Sequence, residues 1–237
     1  MVKKLLLIFL LVNFTALSQE NEQKELFSQA IGKNIRKYRR EAKKAFASKD
    51  LERAEFLFDS LVSKVVNGTK LDNFKVRKFS RRKIELYDFQ KPTYLITYAS
   101  WCVPGIGEIP AFNDIADAYH NEIDFVVLFW GSKKKIRKFK RKFSRKITVL
   151  YVDEKENRND FTIRTMKHSL GFPTSFLVDK DKVILDVRRN FMHHFLEEYT
   201  NSYNNNYQSF TSGVSRLQQG VVQRSEPVEL KRDSVPN

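Results

Sequence analysis

Two runs of nearly uninterrupted apolar residues, "TYLITYAS" (93–100) and "DFVVLFWG" (124–131), restrict this chain more than any other feature. Strands that are apolar on both faces must be covered on both faces, and each run is followed by a stretch with helical spacing. That alternation is expected of an α/β domain built on parallel strands. "TVLYVD" adds a further strand, "SFLVDKDKVILDVRR" reads as an antiparallel hairpin, and "MHHFLEEY" as a closing helix. Upstream, Phe74 and Val76, then Ile84 and Leu86, alternate around a basic turn and predict two short strands.

Before the sheet, Phe27, Ile31, Ile35, Tyr38, Ala42 and Ala45 recur at steps of three and four, the stripe of an amphipathic helix. A second helix is capped by Asp50, carries Ala54, Phe58, Leu61 and Val65 on its stripe, and stops at Asn67-Gly68. The stretch "KDLERAEFLF" has no second copy at a tetratricopeptide period, so the pair is a plain antiparallel hairpin. Beyond Asn201 the composition shifts to Asn, Ser and Gln, and residues 201–237 are expected to be a disordered tail.

At the other end, Lys3 and Lys4 precede a short apolar run from Leu5 to Val12, and Ala16-Leu17-Ser18 comes after it. Residues 1–18 read as a signal peptide cleaved after Ser18, too short for a membrane anchor. Removing it leaves 41 basic side chains against 28 acidic ones, a net charge of +13. Acidic partners or anionic surfaces are implied, and nucleic acid is disfavoured for an exported chain. Export usually accompanies paired cysteines, yet Cys102 is the only one. An internal disulfide is therefore excluded.

Cys102 lies in "ASWCVPGIGEIP" (99–110), at the end of an apolar strand, and Gly171-Phe172-Pro173-Thr174 comes about seventy residues later. These residues resemble the thioredoxin fold, specifically the TlpA-like thiol:disulfide oxidoreductases of the bacterial envelope, with their W-C-x-P-C-x-x-E-x-P and later G-x-P-T. The resemblance covers roughly 69–200. It implies a thioredoxin-like α/β fold, a central mixed sheet flanked by helices, to which an N-terminal helical hairpin (19–68) is added. The family's second cysteine falls on Gly105.

A cysteine entering a helix from a buried strand has N–H groups and the positive helix end aimed at its sulfur, which predicts a thiol below its free value of about 8.5. Pro104 suits the first turn of that helix, and Trp101 would wall one side of the sulfur. Glu108 would lie nearly two turns into the helix, near the cysteine or simply in solvent, with Pro110 bending the helix after it. The resemblance implies a cis bond before Pro173, which would face Cys102 across a substrate groove bordered by Phe172 and Thr174.

Without a second cysteine, a disulfide made by Cys102 persists until an outside thiol attacks it. One reading is a monothiol oxidoreductase, with Cys102 and Glu108 as its reacting pair and exported cysteine proteins or a small thiol as partners. Another is a redox-inactive binding module, since Gly105 and Gly107 each weaken a helix start by on the order of 1 kcal/mol relative to alanine. A third, a one-cysteine peroxidase, lacks the expected Thr or Ser at Ala99.

The run 133–146 places Ile136, Phe139, Phe143 and Ile147 on one face. Lys133, Lys134, Lys135, Arg137 and Lys138 on the other could meet an anionic surface, as could a second cluster from Lys33 to Lys44. His120, His168, His193 and His194 have no metal spacing with Cys102, although His168 could approach the site. No phosphate loop, nucleophile elbow or dinucleotide fingerprint occurs, so no cofactor is expected.

Overall fold

The computed structural model describes residues 24–80, 82–152, 161–189 and 198–225. The expected signal peptide and most of "MHHFLEEY", with His193 and His194, fall outside them. The fold is thioredoxin-like α/β, with a mixed sheet flanked by helices. In chain order the elements are α1 (Phe27–Ala47), α2 (Leu51–Leu61) running into a π turn (Val62–Val66), β1 (Lys75–Lys78), β2 (Lys83–Glu85), β3 (Thr93–Ala99), α3 (Glu108–Tyr119), β4 (Asp124–Trp130), α4 (Lys133–Lys140), β5 (Ile147–Val152), α5 (Phe161–His168), β6 (Thr174–Val178), β7 (Ile184–Arg188) and α6 (Tyr199–Ser225).

The sheet order is β2-β1-β5-β4-β3-β6-β7. The two apolar runs form β3 and β4, which pair in parallel with each other, and β5 joins β4 in parallel. β6 and β7 extend the sheet antiparallel on one side, β1 and β2 on the other. All seven residues of β3 are buried. Alternation along the strands divides the core in two. Leu95, Val126, Leu128 and Phe176 face the helical hairpin, where Phe27 meets the Phe176 ring edge-on at 5.6 Å. Tyr94, Tyr98, Phe125 and Phe129 face α3 and α6.

The hairpin is capped at both starts, by different means. Asp50 accepts the Arg53 N–H at 2.9 Å, a local cap that the sequence announces. At α1 the residue in the capping position, Leu26, offers no side-chain oxygen. Its role is taken by Asp72, 3% exposed, which accepts the Ser28 N–H at 2.8 Å and the Ser28 hydroxyl at 2.6 Å. A carboxylate from the far end of the hairpin thus satisfies donors that a helix start leaves open.

The expected disordered tail is corrected by α6, which is helical to Ser225. It lies against α3 and the sheet: Phe210 contacts Phe112 at 5.0 Å and Tyr94 at 5.9 Å, with Val214 and Leu217 fully buried beside it. Burying each such side chain contributes about 1.5–3 kcal/mol. Ser202 and Asn206 are each 1% exposed and still satisfied, Asn206 Nδ2 donating to the Ser202 carbonyl at 2.7 Å. The buried face of α6 is therefore partly polar, and its composition conceals it.

Candidate functional site

β3 delivers Cys102 three residues past its last member. The Ser100 N–H donates to the Trp130 carbonyl at 3.2 Å, and the Cys102 N–H to the Ala99 carbonyl at 3.0 Å. The chain then runs as a loop to Gly107, and α3 begins only at Glu108. This corrects the expectation that Cys102 enters a helix with Pro104 in its first turn. Pro110, expected to bend the helix, instead occupies its first turn, where a missing N–H has no intrahelical partner to lose.

The delayed start reverses the electrostatics. Cys102 is 6% exposed, and burial pushes its thiol up from the ordinary value, with the negative charge of Glu108 adding to the rise and the backbone at Ala99 opposing it. The expected depression does not occur, because the sulfur lies in a desolvated loop and not over a helix end.

Glu108, 2% exposed, is neither solvated nor two turns along the helix. It accepts the Tyr98 hydroxyl through Oε1 and the Gly105 N–H at 3.0 Å through Oε2. The position of the family's second cysteine is thus held by the Glu108 carboxylate through its backbone. Burial, reinforced by Glu108, holds the Tyr98 hydroxyl well above its ordinary value, so it stays a donor. Tyr98 was not singled out in the sequence. The signal lies in its place, four residues before Cys102, where a strand aims its side chain at the start of the next helix.

Thr97 of β3 pairs with Thr174 of β6, and the Thr97 hydroxyl donates to the Thr174 carbonyl at 3.2 Å. That register sets Pro173 and Phe172 alongside the end of β3 that leads to Cys102. The Phe172–Pro173 bond is cis. Gly171, at φ +85°, makes the turn that a side chain would strain, and the Thr174 hydroxyl closes it on the Gly171 carbonyl at 2.8 Å. Phe172 stands edge-on to Trp101 at 6.4 Å. Trp101 (74%), Val103 (69%) and Ile106 (63%) are exposed around the buried sulfur, while Pro104 is half-buried.

Behind the loop, α6 completes the site, which the sequence did not disclose. The Gly107 N–H donates to the Ser202 hydroxyl at 3.1 Å, and a Cβ on Gly107 would stand 2.1 Å from the Tyr203 nitrogen. Only glycine permits that approach.

His168 lies on a pocket wall shared with Trp101 and Phe172. His120 lies elsewhere, beside the Lys146 ammonium at 2.9 Å. Among the described residues no three His, Cys, Asp or Glu side chains cluster as a metal site, and no helix is long and apolar enough to cross a membrane. On α4, Lys134, Lys135, Arg137 and Lys138 are exposed. Lys133 is half-buried over the Phe79 ring, with its ammonium on the Phe79 carbonyl. The run expected to be one helix face ends as a helix at Lys140, and Ile147 belongs to β5.

The thiol-disulfide oxidoreductase ResA of Bacillus thuringiensis subsp. konkukian is 29% identical over 136 residues, 56% of this chain and 75% of that protein. The thioredoxin-like protein YneN of Bacillus subtilis is 24% identical over 127 residues, 52% and 71% of the two chains. A solved thioredoxin-like protein from Bacteroides caccae superposes with a TM-score of 0.44 at 16% identity, covering 61% of this chain and 52% of that one. The family model described as AhpC/TSA matches residues 67–187, from the end of the hairpin through β7 and just over half of the chain. The protein therefore belongs to the AhpC/TSA family, among its thioredoxin-like members.

Proposed function

We propose that this is an exported thioredoxin-like protein that works in thiol–disulfide exchange through Cys102 alone, with Glu108 as its neighbouring acid. The observation that carries the reading is one buried sulfur just past the end of β3, with Trp101, Val103 and Ile106 exposed beside it in the chain, Phe172 of the cis Phe172–Pro173 turn edge-on to Trp101, and Gly105 where a resolving cysteine would stand. The name of ResA, a thiol-disulfide oxidoreductase, supports protein thiols as the substrate class. Trp101, Val103 and Ile106 would seat a client segment, with Pro104, Gly105, Phe172, Pro173 and Thr174 forming the groove.

In the step, Cys102 gives its proton to solvent and its sulfur attacks a client disulfide. The Cys102–client S–S bond forms, the client S–S bond breaks, and the departing client sulfur keeps the electron pair. A raised thiol pKa slows this attack and also makes Cys102 a poor leaving group, so the linkage is slow to form and slow to break. The site suits persistent capture, ended by an external thiol.

The burial of Cys102 and its raised thiol favour a second reading, a groove that binds clients without chemistry. The two separate on one experiment: recovering the protein from cells under thiol-blocking conditions and identifying its disulfide-linked partners. Specific adducts through Cys102 support exchange. Full function of the Cys102→Ser protein with no adducts in the wild type establishes the binding module instead.

Lys3 and Lys4 ahead of an apolar run support export, tested by sequencing the mature N-terminus, which should begin at Gln19. The exposed Lys134, Lys135, Arg137 and Lys138 support contact with an anionic surface. Binding to vesicles of anionic lipid should then weaken as salt is added.

A further inference from the structure

A pocket of about 470 Å³ opens at the carboxyl ends of the three parallel strands, where Ala99, Trp130 and Val152 end β3, β4 and β5. Crevices at this edge of a parallel sheet, and of this volume, are where small molecules bind. Cys102 is not on its walls.

Two features of the lining point to one kind of occupant. Trp101 and Phe172 form an aromatic wall, already in edge contact with each other. The lining also carries basic side chains: Lys135, Lys167 and the His168 imidazole line the pocket, and among the described residues no carboxylate does. Ser132, the capping residue of α4, also lines it and makes no side-chain cap bond, while the first turn of α4 holds no acid to neutralise its positive end. Trp130, another lining residue, is 2% exposed with its ring stacked on Phe74 at 6.1 Å, and its indole N–H has no acceptor among the described residues, a cost that native structures seldom leave standing.

We propose that this pocket binds a small organic carboxylate with an apolar body, the body against Trp101 and Phe172 and the carboxylate toward Lys135 and Ser132 at the start of α4. The proposal stands apart from the reactivity of Cys102.

Trp101 and Trp130 are the only tryptophans in the chain and both line the pocket, so intrinsic fluorescence reports it directly. The probes are N-acetylphenylalanine and its neutral amide, which are of nearly the same shape and differ in that the charged, acceptor-only carboxylate is replaced by a neutral amide. The acid should give a saturable change in emission, and the amide should bind at least ~10-fold more weakly, given the strength of charge-assisted hydrogen bonds. Lys135→Ala, at an exposed position, should weaken the acid by a similar factor and leave the amide unchanged. Added salt should weaken the acid alone. The pocket shares Trp101 and Phe172 with the client groove, and Cys102→Ala should bind the acid as the wild type does, which separates binding here from the chemistry of the sulfur. Equal binding of acid and amide, no saturation with the acid, or indifference to Lys135→Ala would overturn the proposal. Loss of acid binding in Cys102→Ala would overturn the placement of the site apart from the sulfur.

Discussion

Replacing Gly107 with alanine isolates the contact between the cysteine loop and α6. The Gly107 backbone, at φ −94° and ψ −8°, is open to any residue, so the substitution carries no conformational penalty of its own. The cost is steric. The new Cβ would stand 2.1 Å from the Tyr203 nitrogen, 2.5 Å from its Cα and 2.6 Å from the Ser202 carbonyl carbon, all backbone atoms that cannot rotate away. Overpacking of this kind costs about 1–3 kcal/mol, and losing the bond from the Gly107 N–H to Ser202 adds about 1 kcal/mol, roughly 2–4 kcal/mol together. With a urea slope of about 2 kcal/mol/M the unfolding midpoint should fall by roughly 1–2 M. Ser202→Ala, which removes the bond and leaves the packing, should cost only about 1 kcal/mol. Hydrogen exchange should locate the extra opening in α6. A Gly107→Ala midpoint indistinguishable from the wild type would refute the close approach and the docking of α6 that rests on it.

Alkylation of Cys102 by iodoacetamide, monitored across pH, should be slow at neutral pH, with an inflection above that of a free thiol. Glu108→Gln should bring it down by removing the second cause of the rise, and a wild-type inflection below about 8.5 would refute the account of burial. Because the folded state raises this thiol, the protonated form contributes stability that is full below the unfolded thiol value and is lost as pH rises through the folded one. Denaturation midpoints of the wild type should therefore fall more steeply than those of Cys102→Ala at alkaline pH. Tyr98→Phe leaves Glu108 Oε1 without the Tyr98 donor and should cost about 1–3 kcal/mol in chemical denaturation, where no loss would show that solvent replaces the hydroxyl. Asp72→Ala opens two donors at the start of α1 and should cost about 2–3 kcal/mol, with hydrogen exchange rising first at Ser28; uniform exchange across α1 would count against this long-range cap.

The sheet was legible because β3 and β4 are continuous apolar runs, and a one-residue error in such a strand does not change its reading. The hairpin was legible from Asp50 and the stripe from Phe27 to Ala45. The cysteine loop was misread because Pro104 and Pro110 are both acceptable in a first helical turn. What selects the later start is tertiary: Glu108 bonded to Tyr98, and Gly107 pressed on Ser202. α6 was missed for a related reason. Its buried positions, Ser202, Asn206, Phe210, Val214 and Leu217, keep helical spacing, but the first two are polar and are satisfied only once the helix is docked. Apolar counting cannot register a face whose hydrogen bonds come from elsewhere in the chain. The pKa direction at Cys102 failed with the helix start on which it depended.

The bond between Gly107 and Ser202 joins positions 95 residues apart, and this has a temporal meaning. A chain made from its N-terminus outward exposes Cys102 long before α6 exists to brace the loop that carries it. In that interval the thiol lacks the support behind Gly107 that the finished fold gives it, and its surroundings are not those of the native site. Whatever restraint on reactivity the native loop imposes is therefore conferred late, when the last described helix closes over α3. Maturation of the cysteine and completion of the fold become one event.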